Sequence, residues 1–144
     1  MENREDLKTL KELHKGAIMG MNSISYVEEK VGDKEFKNEL SSQYNQYSDI
    51  LTRIIDSYNH IGEVPENTNI KDKMQTWVGI QLNTIKDQSN SKLSEMLIQG
   101  TTMGIIEGCK LKNNNHNLNN NVETILNDFI TMQENSVDKL KCYL

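Results

Sequence analysis

The chain reads as all-α, a four-helix bundle made of two antiparallel helical hairpins joined by a long crossover that contains an extra helix. Three observations carry that expectation. Apolar residues recur at spacings of three and four through four separate stretches; the 144 residues include a single proline, Pro65; and Gly, Asn and Ser gather in a few places that mark the breaks. The length suits one domain, residues 1–144, and allows roughly two-thirds of the unfolded surface to be buried.

The first helix is expected from about Glu5 to Val31, with Leu7, Leu10, Leu13, Ala17, Met21, Ile24, Val27 and Val31 on one stripe. Gly32 would supply a left-handed stop, and Asp33 would cap the second helix, so the two should form a tight hairpin. That second helix, about Lys34 to Ile61, places Leu40, Tyr44, Tyr47, Leu51, Ile54, Tyr58 and Ile61 on its inner face, and Gly62 closes it. The polar stretch GEVPENTNIKD follows. Asp72 and Gln75 then resemble a helix start, and 73–86, with Met74, Trp77, Val78, Leu82 and Ile85, reads as the crossover helix, ended by DQSNS at 87–91.

A third helix is expected over Lys92–Lys112, with Leu97, Met103, Glu107 and Leu111 inward. Ile98, Ile105 and Cys109 form a second apolar side for the crossover helix or a second subunit to cover. The run NNNHNLNNN, 113–121, reads as a polar loop. Helix four should start near Val122 with Asn121 as its cap and continue to the C-terminus, with Leu126, Phe129, Gln133, Ser136, Leu140 and Tyr143 inward.

Charge narrows the function classes. A net charge of −5 and pI near 5.2, with basic and acidic residues interspersed, argue against nucleic acid as a partner, because phosphate binding needs clustered Lys and Arg. No apolar run approaches the ~18 residues that span a bilayer. The opening MENREDLK has no basic region followed by an apolar stretch, so no secretory signal is visible and a cytoplasmic location is expected. Cys109 and Cys142 have neither metal-ligand nor redox spacing and read as buried or interfacial thiols.

The two halves look like copies of one hairpin. Leu13-x-x-Gly16-Ala-Ile-Met19-Gly20 matches Leu97-x-x-Gly100-Thr-Thr-Met103-Gly104 at an offset of 84. At an offset of 89, Leu40, Tyr44, Tyr47, Asp49 and Leu51 fall on Phe129, Gln133, Ser136, Asp138 and Leu140, the extra five residues being assigned to the Asn-rich loop. With this repeat and crossover the chain resembles the ferritin-like superfamily, and in particular its single-bundle bacterial members that lack the di-metal ligands. The resemblance implies the up-down-down-up order of helices.

Members of that superfamily that bind metal carry Glu on the first helix of each hairpin and Glu-x-x-His on the second. The corresponding positions here are Tyr44 with Tyr47, and Gln133 with Ser136, none a strong ligand for iron or manganese. These four are expected to form a polar–aromatic core network in place of metal, with the tyrosine rings filling space left by Gly16, Gly20, Gly100, Gly104 and Gly108. Their hydroxyls would pair with Gln133, Ser136 and Thr101.

Two functions follow. The favoured one is a metal-free bundle acting as a structural or protein-interaction module and forming a homodimer, with no catalytic or cofactor-binding residues. The alternative is a metal-dependent oxidoreductase or iron-handling protein with an atypical iron or manganese site at Glu107, Glu28 and His14. His60 and His116 stand at no ligand spacing. A small-molecule pocket between the hairpins is a third reading.

Overall fold

The computed structural model describes residues 4–65, 81 and 84–144. Its elements are all helical: α1 (Arg4–Glu28), α2 (Lys34–His60), α3 (Asn90–Asn114) and α4 (Asn120–Leu140), followed by a 3-10 turn, Lys141–Tyr143. No strand occurs among the described residues. The expected crossover helix lies largely outside them.

Side-chain caps set three of the four helix starts. Asp33 accepts from the Glu35 and Phe36 amides at 2.8 and 3.3 Å, Ser89 from Lys92 at 3.2 Å, and Asn119 from Val122 at 2.9 Å. At the end of α2, Gly62 adopts φ +75°, and the Glu63 amide reaches back to the Tyr58 carbonyl at 2.9 Å. Gly32 was the expected left-handed stop for α1, but Gly62 is the one described residue with positive φ. Instead α1 leaves through short-range bonds, Lys30 to Val27 at 2.8 Å and Val31 to Glu28 at 3.2 Å. Val31 then packs into the core.

The asparagine run departs furthest from its expected form. It is helical up to Asn114 and again from Asn120, leaving a connection of the same length as residues 29–33. The cap is Asn119, not Asn121, because Asp6 fixes Asn119 from α1. The Asp6 carboxylate, 2% exposed, accepts from the Asn119 amide at 2.9 Å and from Asn119 Nδ2 at 2.8 Å. Asn121 instead donates to Ser57 Oγ on α2 at 2.5 Å, and Asn115 donates to the Leu111 carbonyl at 2.8 Å. This segment therefore fastens three helices to one another.

One continuous core contains Leu10, Leu13, Ala17, Ile24 and Val27 from α1, Phe36, Leu40, Tyr47, Ile50 and Ile54 from α2, Leu93 and Leu97 from α3, and Ile125, Leu126, Phe129 and Leu140 from α4. On α1 and α4 the buried face follows the apolar stripe. On α2 it is rotated: Gln43 and Ile50 are buried while Tyr44 and Leu51 are half-buried and Ile61 is exposed. On α3 the rotation is larger. Met103 and Glu107 are exposed, and Leu93, Leu97, Gly104 and Gly108 face the bundle. Glycine contributes no hydropathy, so a stripe traced through large apolar residues misses the inward face. Ile98 and Ile105 are half-buried, and Cys109 and Cys142 are exposed free thiols, not buried ones.

The contacts between helices run in consistent order. Along α1, Glu28, Gly20 and His14 meet Ser41, Tyr47 and Tyr58 of α2. Along α4, Leu140, Gln133 and Ile130 meet Ser94, Gly104 and Gly108 of α3. Gln43, Tyr47, Arg53 and Ser57 of α2 meet Ser136, Gln133, Asp128 and Asn121 of α4.

If the Asp6–Asn119–Val122 relay holds the helix starts together, Asn119→Ala should destabilise by about 1–3 kcal/mol, since it removes a cap and the Nδ2 donor to a buried carboxylate. Asn113→Ala, on an exposed side chain of the same run, should change stability by less than about 0.5 kcal/mol in urea unfolding. Equal effects would mean the run is merely solvated.

Candidate functional site, a glycine-walled cleft

Glycine inside a helix costs about 1 kcal/mol relative to alanine. Four of the mid-helix glycines here have a packing reason. A Cβ on Gly20 would collide with the Tyr47 ring, and one on Gly104 with the Gln133 amide. At Gly108 it would lie 2.8 Å from Ile130 Cγ1, and at Gly16 it would lie 3.0 Å from Phe129 Cζ. Side chains from α2 and α4 thus press directly onto the backbones of α1 and α3.

Where they press, they meet each other. Gln133 Nε2 donates to Tyr47 Oη at 3.2 Å, and the Tyr47 ring lies edge-on to Phe129 with centroids 6.1 Å apart. Thr101 on α3 also hydrogen-bonds the phenol. Burial pushes the Tyr47 hydroxyl pKa above its ordinary value, with the bonds to Gln133 and Thr101 opposing that shift, so the phenol stays neutral at physiological pH. Gln133 Oε1 and Ser136 Oγ are buried without a hydrogen-bond partner. Rotating the amide by 180° would let Oε1 accept the tyrosine proton but would leave the NH2 group without a partner instead. One polar atom of Gln133 therefore stays unpaired in either orientation.

Between α1 and α3, above this cluster, lies an apolar cleft of about 530 Å³. Gly16, Gly20, Gly100, Gly104 and Gly108 line it, with Met19 and Met103 at the rim and Tyr47, Phe129 and Gln133 beneath. Its volume falls in the range of small-molecule sites.

The structure brings Tyr47 and Gln133 together but separates the remaining sequence-derived candidates. Tyr44 is half-buried against the core, and Ser136 offers only its carbonyl, to Gln43 Nε2 at 3.5 Å. Glu107 has a side chain 72% exposed and pairs with Lys110 at 3.7 Å. Glu28 accepts from Ser41 Oγ at 3.0 Å. His14 stands edge-on to Tyr58, and burial lowers its pKa. His14 and Glu28 lie roughly 21 Å apart along α1 at 1.5 Å per residue, too far to share an ion. Among the described residues no three His, Cys, Asp or Glu side chains come together to hold a metal. The inner side chains at mid-bundle, Tyr47, Gln133, Thr101 and Ser136, are neutral oxygen and amide groups that do not fit a di-metal centre.

Among the described residues, the fold and site define an all-helical arrangement of four α-helices with an apolar cleft over a neutral polar floor. No helix among the described residues is long and apolar enough to cross a membrane. No protein-family model, curated protein or solved structure matches the chain.

Tyr47 makes a prediction about pH. The folded protein keeps a phenolic proton that the unfolded chain releases, so stability should fall as pH rises above about 10, the unperturbed tyrosine value. Tyr47→Phe should cost about 1–2 kcal/mol at neutral pH and should show a shallower decline above pH 10 in denaturant titrations. Parallel pH profiles for the two proteins would place the phenol in water.

Proposed function

We propose that the protein is a metal-free ferritin-like bundle that works by binding rather than catalysis, and that the α1–α3 cleft is its binding surface. Several observations support the ferritin-like arrangement. Contact order is opposed within each hairpin and between α2 and α4. By contrast, Asp6 and Gly16 of α1 meet Asn119 and Phe129 of α4 in the same order. An up-down-down-up path satisfies all of these, and α2 and α3 then need a long connection. The hairpins also share a register. A constant shift of 86 carries the buried residues Phe36, Leu40, Gln43, Tyr47, Ile50 and Ile54 of α2 onto the buried Val122, Leu126, Phe129, Gln133, Ser136 and Leu140 of α4. That shift pairs Tyr47 with Gln133, where the sequence alignment at 89 pairs it with Ser136.

One observation carries the binding reading: an apolar cleft of about 530 Å³ opens between α1 and α3, and Tyr47 and Gln133 lie at its floor. Such side chains can position a ligand, but they supply neither a hard metal site nor a nucleophile with its base.

A fluorescent apolar probe tests this. Native protein should bind the neutral dye Nile red at about one site per chain, and Met19→Lys with Met103→Lys at the rim should abolish binding while leaving the unfolding transition in place. Unchanged binding by the double variant, or none by the native protein, would overturn the cleft. Stoichiometric iron, manganese or zinc in elemental analysis of the purified protein would overturn the metal-free reading.

A further inference from the structure

The shape and chemistry of the cleft narrow what it can hold, an inference that rests on the binding reading above. Its lining extends along α1 from Lys8 to Val27 and along α3 from Met96 to Leu111, roughly 25 Å at 1.5 Å per residue. An elongated, mostly aliphatic molecule matches that length and the apolar lining.

The polar groups set the second constraint. The cleft floor holds one polar cluster, Tyr47, Gln133 and Thr101, and none of the three carries charge. The charged lining residues are Lys8, Lys15, Glu12 and Glu107, two of each sign, and Lys15 is paired with Glu12 at 3.5 Å and Glu107 with Lys110 at 3.7 Å. No concentrated charge is therefore available for an ionised headgroup. Within the cluster, Gln133 is 3% exposed, rests on Gly104 and has one amide atom without a partner. A buried polar atom left unpaired is costly, and a ligand group that pairs with it recovers that cost. A hydroxyl suits either amide orientation, because it both donates and accepts.

We propose that the cleft binds an elongated, uncharged, mostly aliphatic small molecule through a hydroxyl group that hydrogen-bonds the side-chain amide of Gln133. The chain lies between α1 and α3, over Tyr47, Phe129 and Gln133. Gly104 lets the amide approach the α3 backbone, and the bond from Gln133 to Tyr47 holds the amide in place.

Calorimetric titration of the full chain with 1-decanol, decyl methyl ether and decanoate tests the assignment. The alcohol should bind about tenfold more tightly than the ether, the effect of one buried hydrogen bond, and more tightly than decanoate. Gln133→Met should reduce the preference for alcohol over ether to under about twofold while retaining the ether's affinity. The wild-type preference is decisive even if that variant does not fold. If the wild type binds alcohol and ether equally, or if decanoate binds best, the hydroxyl assignment is overturned while the cleft remains a binding site. If no probe binds, both the assignment and the binding reading fall.

Discussion

Tyr47 can occupy the centre of this bundle only because Gly20 has no side chain. The ring occupies the place where a Cβ on α1 would stand, and its hydroxyl then arrives within reach of Gln133 from α4 and Thr101 from α3. All four helices thus meet through one side chain. The glycine cost of about 1 kcal/mol is offset by burying an aromatic ring, whose truncation typically costs about 3–5 kcal/mol. Side chains from α2 and α4 supply the bulk against the glycine backbones of α1 and α3, and the cleft lies between those two helices.

The same arrangement separates polar groups that are paired with one another from polar groups at the cleft floor. Asp6, Asn119, Asn121 and Ser57 are paired with one another and hold helix ends in register. Gln133 is different: it is held by Tyr47 on one side and left unpaired on the other, at the floor of an open apolar cleft. Ser136 Oγ is also unpaired, but its residue does not line the cleft. Position, rather than lack of a partner alone, makes Gln133 the residue expected to face a ligand.

Much of this was legible in the sequence, and the misreadings share a cause. The helical class, the four main helices, the Asp33 cap and the inner faces of α1 and α4 follow from large apolar residues at helical spacing. The inner faces of α2 and α3 do not, because Gln43, Gly104 and Gly108 give no hydropathy signal although they point inward. Tracing α2 through Tyr44 and Leu51 turned its face away from Gln43 and Ile50. Tracing α3 through Met103 and Glu107 put a carboxylate inside that is 72% exposed. The glycine spacing at 100, 104 and 108 was the available clue to the true face of α3. The asparagine run misled for a different reason. Composition describes a solvated loop, while the Asp6 contact that makes Asn119 the cap joins residues more than a hundred positions apart.

The most direct test of the central constraint is a double-mutant cycle between Gly20 and Tyr47, measured by urea unfolding. Gly20→Ala in the native background should destabilise by about 1–3 kcal/mol, because the methyl group and the ring compete for one place. In a Tyr47→Leu background, which vacates that place, the same substitution should become neutral or stabilise by up to about 1 kcal/mol through helix propensity. A reversal of sign is the predicted result. Equal destabilisation in both backgrounds would show that Gly20 does not make room for Tyr47 and would contradict the account.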